Sequence, residues 1–152
     1  MFYLAQSYTI YHSEELLTHP AYMQARDWVK YLWQYGIEVF SPILYTHPFH
    51  VALGYPNLNY VEHDLKMIAE FKDCTMIFLD DCLKKTDRGW CTDIKKSSGA
   101  WKEYIYATGH GIPTIRAISL KEQLNKLDAP IRDKNEMNRI LFCCEKVIDG
   151  ND

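Results

Sequence analysis

The apolar positions of this chain fall into short continuous runs separated by longer amphipathic stretches. Phe2-Tyr3-Leu4-Ala5 is apolar throughout and predicts a buried first strand, which the polar run Gln6-Ser7-Tyr8-Thr9 ends. Residues 13–35 predict a helix, opened by Ser13-Glu14-Glu15, with Ala25, Trp28, Val29 and Leu32 on its apolar face and Gly36 as its stop. Residues 37–40 predict a second strand, closed by Ser41-Pro42. Residues 43–59 are rich in Pro, His, Tyr and Gly without periodicity and predict a long irregular loop, a feature more often functional than accidental. A helix over 60–71 follows, then the clearest strand of the chain, 74–79. Residues 80–96 predict a polar loop, 98–108 a helix and 113–116 a fourth strand. Helices over 119–126, with Ser119 and Glu122 as a capping box, and over 135–148 complete the pattern, joined by a polar linker over 128–133.

Strands alternating with helices predict an α/β fold, a flavodoxin- or Rossmann-like sandwich around a mainly parallel sheet of four to five strands. The 152 residues suit a single domain with a full core, and no repeat or low-complexity segment interrupts them. Such folds bind ligands at the carboxyl ends of their strands. Gln6, Ser7, Asp80 and the two predicted loops all fall there.

Composition narrows the function classes. Hydrophobic residues make up 47% and charged residues 24%, ordinary values for a globular protein. A net charge of −3 argues against a dedicated nucleic-acid binder. Basic clusters at Lys84-Lys85 with Arg88 and at Lys95-Lys96 read either as a solvated loop or as a rim that attracts phosphate. The eleven tyrosines and four tryptophans suit stacking on a flat ligand, an aromatic core or a dimer surface. Five cysteines show neither CxxC pairs nor metal-ligand spacing; with no secretory leader or transmembrane run in view, reduced thiols and a cytoplasmic location are expected, without membrane association. Cys74, at the head of its strand, reads as a buried small hydrophobe.

The stretch Ser97-Ser98-Gly99-Ala100-Trp101-Lys102-Glu103 carries the strongest chemical signal. Small residues open a helix whose unpaired N–H groups suit an anion, and a carboxylate follows one turn later on the same side. Asp64 is a second candidate, early in the helix over 60–71, where the helix dipole alone would welcome it. If the preceding loop folds over the strand ends, the two carboxylates share a crevice and divide the work of a glycosidic displacement. Asp80 and Asp81 end the best strand, but no further ligand spacing supports a metal. Tyr3, Gln6, Ser7 and Thr9 offer hydroxyls and an amide; His47, His50 and His63 lie near the long loop. Nucleophile-elbow, dinucleotide and Walker patterns are absent.

Taken in order, Tyr3-Leu4-Ala5-Gln6-Ser7, His63-Asp64-Leu65, the strand from Cys74 to Leu79, and Ser97-x-Gly99-x-x-x-Glu103-x-x-x-Ala107-x-x-x-Gly111-x-Pro113 resemble the nucleoside 2-deoxyribosyltransferase superfamily. The resemblance is closest to its (deoxy)nucleoside 5′-monophosphate N-glycosidase branch and runs from Tyr3 to about Pro113. It implies that Glu103 attacks C1′ of the sugar, that Asp64 positions the sugar and manages the proton on the base, and that Tyr3 orients the nucleophile. Ser97 stands where the nucleoside-specific enzymes carry an acid facing the 5′-hydroxyl, so the resemblance implies a 5′-phosphate held by Ser97, Ser98 and Gly99, with Ser7 a further phosphate ligand and Gln6 and Asp80 lining the substrate site.

The resemblance also implies a metal-free and cofactor-free reaction and a homodimer or larger homo-oligomer. An arginine that grips phosphate in the family's first loop is missing, which leaves Lys95, Lys96 or Arg88 as substitutes. The stretch 86–96 is longer than usual and is expected to cap the site; Trp101 is expected to pack in the core. Besides catalysis, the same scaffold suits a non-catalytic module for a nucleotide or ADP-ribose-type ligand, or a flavodoxin-like interaction domain in which Glu103 is a surface residue.

Overall fold

The computed structural model describes residues 1–7, 19–52, 60–71 and 73–150. Four parallel strands form the central sheet in the order β2-β1-β3-β6: β1 (Phe2–Ala5), β2 (Val39–Phe40), β3 (Thr75–Phe78) and β6 (Thr114–Arg116). A second, antiparallel pair, β4 (Leu83–Thr86) and β5 (Gly89–Thr92), stands apart. The helices are α1 (Pro20–Trp33), α2 (Pro42–Ala52), α3 (Tyr60–Glu70), α4 (Ser98–Gly109), α5 (Ala117–Leu124) and α6 (Lys134–Phe142). The expected α/β, flavodoxin/Rossmann-like architecture is therefore present, with a sheet at the lower end of the expected strand count. Residues 8–18, which include Thr9 and the first six positions of the helix predicted over 13–35, lie outside the described residues, and α1 itself opens later than predicted, at Pro20 with His19 as its N-cap.

Side chains alternate across the sheet and split the core in two. Leu4, Ile77 and Ile115 face one side, where α1, α5 and α6 contribute Ala21, Leu32, Leu120 and Ile140. Tyr3, Ala5, Met76 and Phe78 face the other, against Ile68 of α3 and Ala100, Tyr104 and Ala107 of α4. Cys74 is buried at the head of β3, as its neighbours predict. From β1 the chain first adds β2 on one side, then crosses to add β3 on the other. The ends of β1 and β3 thus form a topological switch point, where open α/β sheets leave a crevice.

Four local expectations are corrected. Part of the stretch read as a loop over 43–59 is helix α2: Ser41 Oγ accepts from Leu44 N–H at 3.3 Å and Pro42 takes the first helical position. Pro48 sits inside the helix and had argued against one. The stretch 80–96, read as a polar loop, holds a 3-10 turn at Asp80–Cys82 and the β4-β5 hairpin. Ser119 is no helix cap: α5 starts directly from β6, and Ser119 Oγ accepts from Glu145 N–H at 2.7 Å. The helix predicted over 135–148 ends at Phe142, and the chain beyond it stitches the two sheets together. Val147 N–H donates to Thr114 O at 3.0 Å, and Ile148 N–H to Trp90 O at 2.8 Å.

Arg116 locks this seam from the end of β6. Its Nε and Nη2 donate to the two oxygens of Asp80 at 2.9 and 2.8 Å, its Nη1 to Glu145 at 3.0 Å, and its guanidinium lies 4.0 Å from the centre of the Trp90 ring. A planar fork that stacks and bridges two acids is a role lysine does not reproduce. Arg116→Ala is expected to lower unfolding stability by about 2–3 kcal/mol in urea titration, with Arg116→Lys recovering less than half of the loss.

Candidate active site

Glu103 and Asp64 both occupy positions where the helix pattern calls for an apolar residue. On α4 the inward stripe is Ala100, Glu103, Tyr104 and Ala107, all buried; on α3, Asp64 shares the inward side with Ile68. Helical spacing i, i+3, i+4, i+7 places such residues on one face. A carboxylate inside an apolar stripe is the signal that separates these two acids from the many solvated ones. Tyr3 reaches the same place from β1, because the pleat turns it towards α3 and α4.

The three groups meet in a desolvated pocket. Tyr3 is fully buried and Glu103 is 6% exposed. Burial pushes the Glu103 carboxyl up to about 8; the Tyr3 hydroxyl pulls it down, and the nearby Asp64 charge raises it further. The Asp64 carboxyl is likewise raised by burial, to about 6, with His63 opposing the shift. Tyr3 itself is held well above the usual phenol range, first by burial and then by the Glu103 charge. Despite this proximity, neither the Tyr3 hydroxyl nor Glu103 Oε2 completes a hydrogen bond of normal geometry with a described residue.

The start of α4 supplies donors. Ser97 is the N-cap: its Oγ accepts from Ala100 N–H at 3.1 Å, and Trp101 N–H reaches Ser97 O at 3.2 Å. The Ser98 and Gly99 N–H groups find no acceptor among the described residues. Gly99 is not demanded by packing, since a Cβ there would make only ordinary contact with Val61 of α3, at 3.5 Å. Two open amides beside a small residue are the local geometry an anion uses.

The remaining expected site residues are placed differently. Ser7 is buried with both donors spent, its N–H on Asp81 Oδ1 at 3.0 Å and its hydroxyl on Lys96 O at 2.7 Å. It ties the end of β1 to the residue before the α4 cap. Asp80 gives both oxygens to Arg116. Gln6 sits at the end of β1 and bonds to α1. Of the cations named as phosphate partners, Lys96 donates to Leu83 O at 2.6 Å, Arg88 contacts Asp149 O at 3.5 Å, and Lys95 is exposed beside the α4 start. Trp101 is half-buried and belongs to neither apolar cluster, so it is not the core residue expected of it.

Sequence reasoning missed two partners. Asp81, not Asp80, reaches β1, through the Ser7 amide. His63 lies with Nδ1 3.5 Å from Asp64 Oδ1 and its ring stacked on Tyr45, 5.5 Å between centres and 6° from parallel. The only advance signal was that His63 adjoins Asp64. Among the described residues no group of three or more His, Cys, Asp or Glu is placed to hold a metal ion, and no helix is long and apolar enough to cross a membrane. Comparison with protein families, with curated proteins and with solved structures finds no match.

The raised pKa of Glu103 makes a stability prediction. The folded protein binds a proton there that the unfolded chain releases near 4.5, so stability falls as pH rises from about 4.5 to about 8. Glu103→Gln removes that burden. The variant is expected to be about 2–4 kcal/mol more stable than the parent at pH 9 and to differ little at pH 4. Urea titrations at the two pH values check this, and equal gains at both would contradict it.

Proposed function

We propose that the protein is an N-glycosidase or 2-deoxyribosyltransferase that cleaves the N-glycosidic bond of a (deoxy)nucleoside 5′-monophosphate. The observation that carries this reading is the buried Glu103 carboxyl, unpaired at Oε2, with the Tyr3 hydroxyl and the Asp64 carboxyl beside it. Between about pH 6 and 8 the two carboxyls hold one proton between them, and in the free protein it sits on Glu103, the more strongly raised of the two. A two-carboxylate displacement needs that proton on the partner, so Glu103 first passes it to Asp64. Glu103, now ionised, attacks C1′, the bond from C1′ to the base nitrogen breaks with its electron pair passing to the base, and Asp64 delivers the proton to the base. Tyr3 donates to the Glu103 oxygen that does not attack. Water, giving up a proton to the now ionised Asp64, or a second base then attacks C1′ of the glycosyl-enzyme, and the bond from C1′ to Glu103 breaks to free its carboxylate.

The Ser98 and Gly99 amides and the uncommitted Ser97 proton support a 5′-phosphate at the other end of the sugar. Incubation with a panel of nucleoside monophosphates is expected to release free base, detected by chromatography. Glu103→Gln is expected to lower the rate by about 1,000-fold or more while keeping the fold. Undiminished release by that variant removes the nucleophile assignment; ligand binding with no release by the parent favours a nucleotide-binding module. Ser97→Asp keeps a good helix cap and adds a negative charge. It is expected to lower kcat/KM for nucleotides at least about 10-fold more than for the matching nucleosides, and equal losses would remove the phosphate.

A further inference from the structure

Gln6 holds an acceptor with nothing to accept. Its Nε2 donates to Ala21 O at 3.0 Å and to Gln24 Oε1 at 3.1 Å, both on α1. A backbone carbonyl only accepts, so the amide nitrogen must face Ala21 and the orientation of the side chain is set. Oε1 therefore points away from α1, inside a residue 7% exposed, and finds no donor among the described residues. Native structures rarely leave a buried acceptor unpaired, so one held at the carboxyl end of a central strand calls for a donor from outside the described residues.

Its position is the crest of the switch point. Gln6 follows Ala5, the last residue of β1, and precedes Ser7, whose hydroxyl holds Lys96 O next to the α4 cap. The end of β1 thus spans the gap between the start of α1 and the start of α4. The polarity changes across that gap. Towards α4 the groups are donors, the Ser98 and Gly99 amides; towards α1 the group is a lone pair, which repels phosphate and calls for an N–H or O–H. The side chain of Tyr3, with Glu103, lies on the α3–α4 face of β1, whereas Gln6 turns to the α1 face. The N-glycosidase reading therefore requires the base of a sugar seated on Glu103 to pass the end of β1 in order to reach Gln6. That side also carries aromatic rings: buried His19, whose Nδ1 accepts from Ala21 N–H, stands 4.5 Å from the ring of buried His47, itself 5.5 Å from that of half-buried Tyr22.

We propose that Gln6 Oε1 accepts a hydrogen bond from an N–H of the base, so that the site selects bases presenting a donor at that edge and rejects those N-alkylated there. The proposal rests on the N-glycosidase reading for its substrate, but not for its test. Binding of free uracil, cytosine, adenine, guanine and hypoxanthine, each beside its N-methylated form lacking the donor and a C-methylated form of equal bulk, is measured by calorimetry on the wild type and on Gln6→Met.

At least one base is expected to bind. N-methylation should weaken it roughly 10- to 100-fold and C-methylation under about threefold. In Gln6→Met, which keeps the bulk and loses the acceptor, the N-methyl penalty should fall below about threefold. Failure of every free base to bind the wild type, equal penalties for N- and C-methyl forms, or an N-methyl penalty undiminished in Gln6→Met overturns the assignment. The wild-type comparison decides alone if Gln6→Met does not fold. Base release from the corresponding nucleotides is assayed in parallel. Discrimination in binding without release keeps Gln6 and removes the enzyme; release at equal rates from N-methylated and parent nucleotides keeps the enzyme and removes Gln6.

Discussion

The arrangement of this protein depends on keeping an unpaired carboxyl group dry. Glu103 occupies a core position on α4, and its burial is what lifts its pKa to about 8. A charge in that place is costly unless a partner neutralises it, so the free protein keeps a proton there at neutral pH. The cost is borne by the surrounding packing: Tyr3 from β1, Ile68 from α3, and Ala100, Tyr104 and Ala107 from the same helix. A group held at a loss, with an open valence for a ligand, is the usual signature of a site rather than of a scaffold.

Holding α4 in place is the task of the parts that carry no chemistry of their own. Asp93 O accepts from Ser97 N–H, Lys96 O accepts from Ser7, and the Ser97 side chain closes the first turn. Behind them the β4-β5 hairpin is anchored by the chain after α6 and by the Arg116 bridge to Asp80 and Glu145. Asp80 and Ser7 accordingly contribute to the site through position. Their polar atoms serve the wall, which leaves the chemistry of the proposed site to Tyr3, Asp64, Glu103 and the α4 amides, with Gln6 as its proposed further member.

Much of the fold was legible because parallel strands buried on both faces read as continuous apolar runs, as Phe2-Tyr3-Leu4-Ala5 and Thr75-Met76-Ile77-Phe78 do. α2 was not, because Pro48 breaks the rule by which helices are found, and Ser41-Pro42 reads equally as the end of a strand or as a cap with proline behind it. The hairpin was hidden by lysines on its exposed positions; its turn at Asp87-Arg88 leaves only Gly89 as a glycine signal, one residue past the usual place. The capping box at Ser119 failed because a real competitor, the Glu145 amide, took the hydroxyl from across the fold. Of the site, the carboxylates were visible in their spacing. What spacing cannot disclose is which polar atoms are already spent: Ser7 and Gln6 look alike in sequence, yet one is satisfied and the other is not.

That difference gives the crevice a direction. At one end stand two amides at the positive end of a helix, at the other an amide oxygen fixed by its own nitrogen's bonds to α1. A ligand with a negative group and a donor-bearing ring satisfies both ends in one orientation only, since reversal would set an anion against a lone pair. The intervening carboxyls then fall to the part of the ligand that joins the two. On the proposed function the joining part is a sugar, and the bond it would present towards α1 is the one to the ring. On that reading the orphaned atoms of Gln6, Tyr3 and Glu103 would be parts of a single complementarity, in which the acceptor at α1 would choose the leaving group that Glu103 displaces.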